Sequence, residues 1–362
     1  MDYDMTLADL GYTEQFAEYL REHNLRHFEP ARVIAEHKER YLVCTGTEEY
    51  GAEITGTLRF GAQGREDFPA VGDWVAVSIC DTDFAVIHAV LPRFSLIKRQ
   101  AVGRRGEVQL IAANIDCAFL LQAVDRDFSI NRLERYLSIC YAANVDPVIV
   151  MSKIDLIDEG VLTRMLDDVH ARMVGVPVLA ISNESGEGCD ALADHITAGK
   201  SYCLLGSSGV GKSTLLNRLA GRDLMRTAAI SESTDRGKHV TSHRELVVLD
   251  SGGILIDNPG MREVGIADAL NGLEHAFDNI VELGRECRFS NCTHTSEAGC
   301  RVIAALGNGE LDRCCYENYR KMKRECVRFE TTVAERRKQE RIFGKLVKDY
   351  KKIIRKNPGQ KL

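Results

Sequence analysis

Between Arg32 and Arg93 apolar and polar positions alternate in short runs broken by glycine, such as "RYLVCTG", "AEITGTLRF", "GDWVAVSI" and "FAVIHAVL". A period of two with β-branched and aromatic residues predicts strands, and several in close succession predict a small antiparallel barrel of the OB type over 32–93. Ahead of it, "TEQFAEYLREHN" has helical spacing and stops before Pro30, so residues 1–31 read as a helical appendage with no chemistry. The polar, basic "LPRFSLIKRQAVGRRGEVQ" reads as a linker over 94–112. Beyond it the texture changes to apolar strands alternating with amphipathic helices: "CAFLLQAV", "INRLERYLSICYAAN", "PVIVMSKID", "EGVLTRMLDDVHARM", "PVLAIS", "GCDALADHITAG", "SYCLLG". Such alternation predicts an α/β domain on a parallel sheet, assigned to 113–270, with "ELVVLD" and "GILIDNPG" forming a hairpin around Gly252 and Gly253. From about Asn271 the spacing is helical with one cysteine-rich interruption. The expected divisions are a helical domain over 271–330 and a basic helical tail over 331–362.

At 362 residues, 44% hydrophobic and 28% charged, the chain has the balance of a globular protein of two or three domains. It holds no run of about 18 apolar residues, and its first residues, "MDYDMTLADLGYTEQF", are acidic, so neither membrane insertion nor secretion is expected. A cytoplasmic location follows as the expectation. The formal net charge of −6 excludes a uniformly basic nucleic-acid coat, yet it hides the strongly basic "ERRKQERIFGKLVKDYKKIIRKNPGQKL".

The stretch Gly206, Ser207, Ser208, Gly209, Val210, Gly211, Lys212, Ser213, Thr214 fits G-x-x-x-x-G-K-[ST], with a strand entering and an apolar helix leaving. Glycines there let backbone N–H groups converge on phosphate oxygens, Lys212 reaches the β and γ phosphates, and Ser213 can hold Mg²⁺. Such a loop ordinarily opens its domain, but here more than half the chain precedes it. Upstream, "MSKIDL" places Ser152, Lys153 and Asp155 after a buried strand in an approximation of Asn/Thr-Lys-x-Asp. The carboxylate of Asp155 matches the paired donors of guanine, and the stem of Lys153 can cover the base. Ser182 and Asn183 end a second strand, where a backbone N–H can brace guanine O6. Two base loops ahead of the phosphate loop imply a circularly permuted GTPase domain. Downstream, Asp257 and Gly260 form D-x-x-G, Asp257 acting on Mg²⁺ through water and Gly260 sensing the γ-phosphate. In "STDRGKHVTSH" Thr241 is the first choice for a Mg²⁺ hydroxyl, with Thr234 and Ser242 competing. Met261 stands where Ras-type enzymes carry a water-orienting glutamine, so slow intrinsic hydrolysis is expected. His239 is the candidate to position the water, an ordinary exposed loop histidine being the other reading.

"CRFSNCTHTSEAGC" sets Cys287, Cys292, His294 and Cys300 as C-x4-C-x-H-x5-C, a Cys₃His set suited to one structural Zn²⁺ per chain. A disulfide reading would strand the histidine. Together "PAVGDWV", "VLPR", "AANID", "RLERYL", "SKIDL", "GSSGVGKST", "RGKHVTSH", "IDNPGMRE" and the cysteine loop resemble the ribosome small-subunit-dependent GTPase A family, also called RsgA or YjeQ. The resemblance spans roughly 32–330. It implies an OB-fold, a permuted GTPase domain and a zinc-binding C-terminal domain, binding GTP with Mg²⁺ and acting in late maturation of the bacterial 30S subunit, which stimulates hydrolysis. A monomer contacting 16S rRNA through its barrel and tail, by phosphate neutralisation, is the corresponding expectation. Three positions depart from the family pattern: Ser152 for asparagine or threonine, Val240 for threonine and Asn258 for threonine. Ser152 keeps a hydroxyl but lacks an amide, which predicts weaker guanine affinity. A P-loop ATPase or kinase and a nucleotide-dependent RNA-binding scaffold with little turnover are the alternatives. The ATPase or kinase reading gives no reason for the "SKID" and "DNPG" loops.

Overall fold

The computed structural model describes residues 5–37, 40–101, 107–125, 128–222, 245–257 and 270–356, with side chains as far as 333 and at 335 and 338. A first helix, α1 (Glu14–Glu22), leads into β1 (Glu29–His37), β2 (Arg40–Cys44), β3 (Glu49–Ile54), α2 (Gly56–Gly61), β4 (Trp74–Ile79) and β5 (Phe84–Val90). These strands close on themselves in the order β1-β2-β3-β5-β4, with Ala31 paired to Val75 across the seam. Alternate residues, among them Val33, Val43, Tyr50, Val75 and Ile87, fill the inside. Closure leaves the barrel with no open edge of its own. The run "AEITGTLRF" is not one strand: it breaks after Ile54, where the Thr55 hydroxyl accepts from the Leu58 N–H and caps α2.

Residues 5–31 are packed against the barrel where an appendage is expected. Leu10, Phe16 and Leu20 are buried with Trp74 outside the barrel, and the rings of Tyr12 and Phe16 lie 4.9 and 5.8 Å from the Trp74 ring. The stretch 94–112 likewise carries structure where a linker is expected. Strands β6 (Leu96–Gln100) and β7 (Val108–Ala113) pair antiparallel and bury Ile97, Leu110 and Ala112. In β6 only Ile97 is buried, and Lys98, Arg99 and Gln100 follow it partly exposed, which is why the stretch looks uniformly polar.

The α/β domain consists of β8 (Cys117–Ala123), α3 (Ile130–Ala142), β9 (Asp146–Ser152), α4 (Glu159–Arg172), β10 (Val178–Ile181), α5 (Cys189–Ala193), β11 (Ser201–Gly206), α6 (Lys212–Ala220), β12 (Glu245–Val248) and β13 (Ile254–Asp257). Strand order is β10-β9-β8-β11-β13-β12, parallel except for β12. Apolar residues of α3 and α4 cover one face, those of α5 and α6 the other, so the parallel strands are buried on both sides. Ala35 of β1 pairs with Glu245 of β12, so barrel and domain share one sheet. Arg32 pins the joint: fully buried, it donates to Gly72 O, Leu10 O, Asn114 O and the Ser201 hydroxyl, and stacks 5.7 Å from the Trp74 ring centre. Burial lowers its pKa to about 10, against the pull of Asp116 and Asp73, so it stays charged at neutral pH.

Helices α7 (Leu270–Ala276), α8 (Asp278–Arg285), α9 (Arg301–Gly307) and α10 (Arg313–Lys356) form a separate core around Phe277, Ile280, Val302 and Met322. They dock on α3. Gly272 of α7 crosses so close that a Cβ there would lie 2.0 Å from Ser138 O. Arg135 grips Glu325 of α10 with two bonds of 2.9 Å, and buried Glu134 accepts from Asn318 at 2.5 Å and from the Arg172 Nε at 3.0 Å.

Candidate nucleotide site and metal centre

Strands β9, β10, β11 and β13 end on the same edge of the sheet, because they run parallel. That edge is where open α/β sheets take ligands. Gly206 ends β11 against β8, and a Cβ there would stand 2.5 Å from Leu121 O. Gly209 and Gly211 adopt left-handed φ of 85° and 96°, turning the backbone into α6. Lys212 folds back over the loop and donates to Gly206 O at 2.8 Å and Ser207 O at 2.6 Å. Burial pulls its pKa down to about 8, opposed by the negative charge of Asp257. Asp257 is itself buried at the end of β13, and Ser213 follows Lys212 in the first turn of α6.

The two base loops stand beside this cradle. Lys153 holds a left-handed φ of 63°, uncommon for a residue with a Cβ, and its ammonium lies 3.2 Å from Asp125. The buried Ser182 hydroxyl donates to Asp155 and accepts from the N–H groups of Glu184 and Ser185 at 3.2 and 3.1 Å. Buried Ser152 donates to Val210 O at 2.7 Å, so the hydroxyl ties the first base loop to the phosphate loop. Its lack of an amide therefore leaves that tie in place. Asn183 reaches the next carbonyl, Gly211 O, at 3.2 Å. Arg132, at the start of α3, lies 3.4 Å from the Ser207 hydroxyl. His239, Thr241 and Gly260, with Thr234, Val240, Ser242, Asn258 and Met261, fall outside the described residues.

In the helical domain the ligand atoms of Cys287, Cys292, His294 and Cys300 lie within 4.8 Å of one another. His294 Nδ1 is 3.6 Å from both Cys287 and Cys300 Sγ, and those sulfurs are 3.8 Å apart. Metal–sulfur bonds of about 2.3 Å in a tetrahedron put sulfurs about 3.8 Å apart, so the cluster fits zinc. All twelve cysteines are free, which excludes the disulfide reading. Backbone N–H groups of Arg301 and Ile303 donate to the sulfurs of Cys287 and Cys300, as thiolates require. Burial and the charge of Lys323 lower the His294 pKa, keeping its imidazole neutral for a metal. Glu297 accepts from the N–H groups of Thr293, Thr295 and Ser296 and fixes the loop between Cys292 and Cys300.

Comparison with known proteins agrees with this geometry. The family model of the RsgA GTPase matches residues 90–267. The small ribosomal subunit biogenesis GTPase RsgA 2 of Lactiplantibacillus plantarum is 40% identical over 316 residues, covering 86% of this chain and 88% of its own. This chain belongs to the RsgA GTPase family. Another RsgA, from Opitutus terrae, is 39% identical over 333 residues, covering 89% of this chain and 90% of its own. The crystal structure of YjeQ from Thermotoga maritima superposes with a TM-score of 0.59 at 27% identity, covering 83% of this chain and 98% of that one. YloQ, described as a circularly permuted GTPase, shares the fold with a TM-score of 0.57 at 24% identity, over 87% of this chain and 98% of its own.

In this chain the order of strands explains the early base loops: β9 and β10 precede β11 in sequence yet lie beside its neighbour β8 in the sheet. Spacing in the sequence finds the loops themselves. It does not find the bonds from Ser152 and Asn183 to consecutive carbonyls, since those partners are 58 and 28 residues away.

Proposed function

We propose that this chain is a GTP hydrolase that binds the small ribosomal subunit and assists its late maturation, its relatives being named small ribosomal subunit biogenesis GTPases. One observation carries the reading: the phosphate loop, the Asp155 loop braced by Ser182, and Asp257 meet on a single sheet edge. Asp155 takes the two donors on the guanine edge, Lys153 covers the base face, and the backbone N–H of Asn183 braces O6. Residues Gly206–Thr214 hold the phosphates. Oxygen donors from Ser213 and Asp257 suit Mg²⁺, which when bound neutralises charge on the triphosphate. The Cys₃His cluster holds one zinc that closes the helical domain. The domain divisions given from the sequence serve as working boundaries, with residues 5–31, 94–101 and 107–112 joined to the packed body.

Charge assigns the neutralisation of phosphates to one end of the chain. From Glu29 to Val90 the barrel carries five basic against eleven acidic side chains, whereas residues 331–362 carry eleven basic against three acidic. Phosphate neutralisation on 16S rRNA therefore falls to the tail, and the barrel meets the particle by shape. Among the described residues no helix is long and apolar enough to cross a membrane. The proposed location is the cytoplasm, with the chain a monomer.

Turnover of GTP, ATP and XTP, with and without purified 30S subunits at two salt concentrations, tests the reading. GTP is expected to be hydrolysed slowly alone and faster with subunits, the stimulation shrinking as salt rises. ATP turnover equal to that of GTP would establish the ATPase alternative. Equal GTP rates with and without subunits at low salt would remove the ribosomal role.

A further inference from the structure

Asn183 stands where a base-bracing loop needs only a backbone N–H, yet its side chain is engaged elsewhere. The amide nitrogen donates to Gly211 O at 3.2 Å, and a Cβ on Gly211 would lie 2.8 Å from that nitrogen. The amide oxygen is buried with no hydrogen-bond partner. An unpaired buried acceptor is destabilising, and alanine would avoid it, so the contact with Gly211 is what the asparagine contributes. Its main-chain carbonyl is held from the other side, accepting from Arg218 of α6 at 3.1 Å. Gly211 caps α6, and the N–H groups that follow it are the ones a phosphate meets.

We infer that Asn183 is a positioning residue that couples the base loop to the phosphate loop, so that seating the purine fixes the start of α6 for the phosphates. The inference rests on the nucleotide-site reading above. Its side chain touches neither base nor phosphate; it sets the Gly211 peptide between them. Ser152, bonded to the preceding carbonyl Val210 O at 2.7 Å, supplies a parallel tie from the other base loop. Coupling of this kind makes the phosphates bind more tightly to a protein already holding its base than the phosphate contacts alone would allow.

Affinities of GMP, GDP, GTP and XTP for the parent chain, Asn183→Ala and the isosteric Asn183→Asp distinguish the possibilities, with thermal melting to confirm folding of each variant. Loss of one hydrogen bond's positioning weakens GDP and GTP by roughly tenfold in both variants. GMP affinity is expected to change by less than about twofold, and the preference for GTP over XTP to stay as in the parent. Equal weakening of GMP, GDP and GTP, or a changed GTP-to-XTP ratio, would make Asn183 a base ligand and overturn the coupling. Unchanged affinities throughout would overturn it as well. A parent chain that prefers no guanine nucleotide would instead overturn the site reading itself.

Discussion

Lys212 is charged below about pH 8 and loses its proton above it, because burial outweighs the attraction of Asp257. A triphosphate adds negative charge beside the ammonium and raises that pKa, so binding above pH 8 has to take up a proton. Affinity is therefore full on the acid side of the transition and falls on the alkaline side, by about fourfold between pH 7 and 8.5 for one coupled proton. Fluorescent GDP titrations at the two pH values measure this. Lys212→Arg, which keeps its charge throughout, is expected to flatten the profile even if it binds less tightly. On the proposed reading Asp155 governs which base is held. In Asp155→Asn the amide presents a donor where guanine also donates, whereas the 2-oxo group of xanthine accepts. Competition binding is expected to show GTP weakened by about two to four orders of magnitude and XTP preferred. Retained GTP selectivity would place base recognition on another residue.

At the scale of elements, α3 joins the nucleotide domain to the helices that follow. Its first turn approaches Ser207, its middle holds Glu325 and Asn318, and Ser138 meets Gly272. Gly272→Ala is expected to lower stability by about 1–3 kcal/mol, since a methyl group has no room and the crossing must open. Urea denaturation reads the loss, and a variant as stable as the parent would remove the close-contact argument. The metal loop is a second such element. Elemental analysis is expected to give one zinc per chain, and Cys292→Ser or chelation to loosen α8 to α10 while GDP affinity holds. Full folding without metal would contradict it.

Periodicity made most of these elements legible, because strands buried on both faces read as apolar runs and α3 shows its stripe plainly. The hairpin β6–β7 escaped because Lys98, Arg99 and Gln100 follow one another in β6 and read as a polar linker, and α1 looked detachable because its partner, Trp74, lies far along the chain. Motif spacing likewise picked out the strand-end loops and the Cys₃His cluster that the fold brings together. The lashings among them depend on strand order in space, and spacing along the chain carries no record of it.

Along the whole chain the barrel segment is acidic and the final segment basic, and the barrel and the α/β domain are joined in a single sheet through Ala35 and Glu245. Strand order within that sheet also bears on synthesis. Of the α/β strands a ribosome delivers β8 and β9 first, and β8 then waits for β11 while the 77 residues from 124 to 200 are made. At about 5–20 residues per second that is roughly 4–15 s during which an apolar parallel strand shows an open edge. An unpermuted chain would deliver the central strand early. Nascent chains halted just after Ala193 should thus be cleaved readily by protease in 117–181, and chains halted well beyond Ala220 should resist. The permutation that sets base recognition ahead of the phosphate loop leaves the half-built sheet dependent on its last central strand.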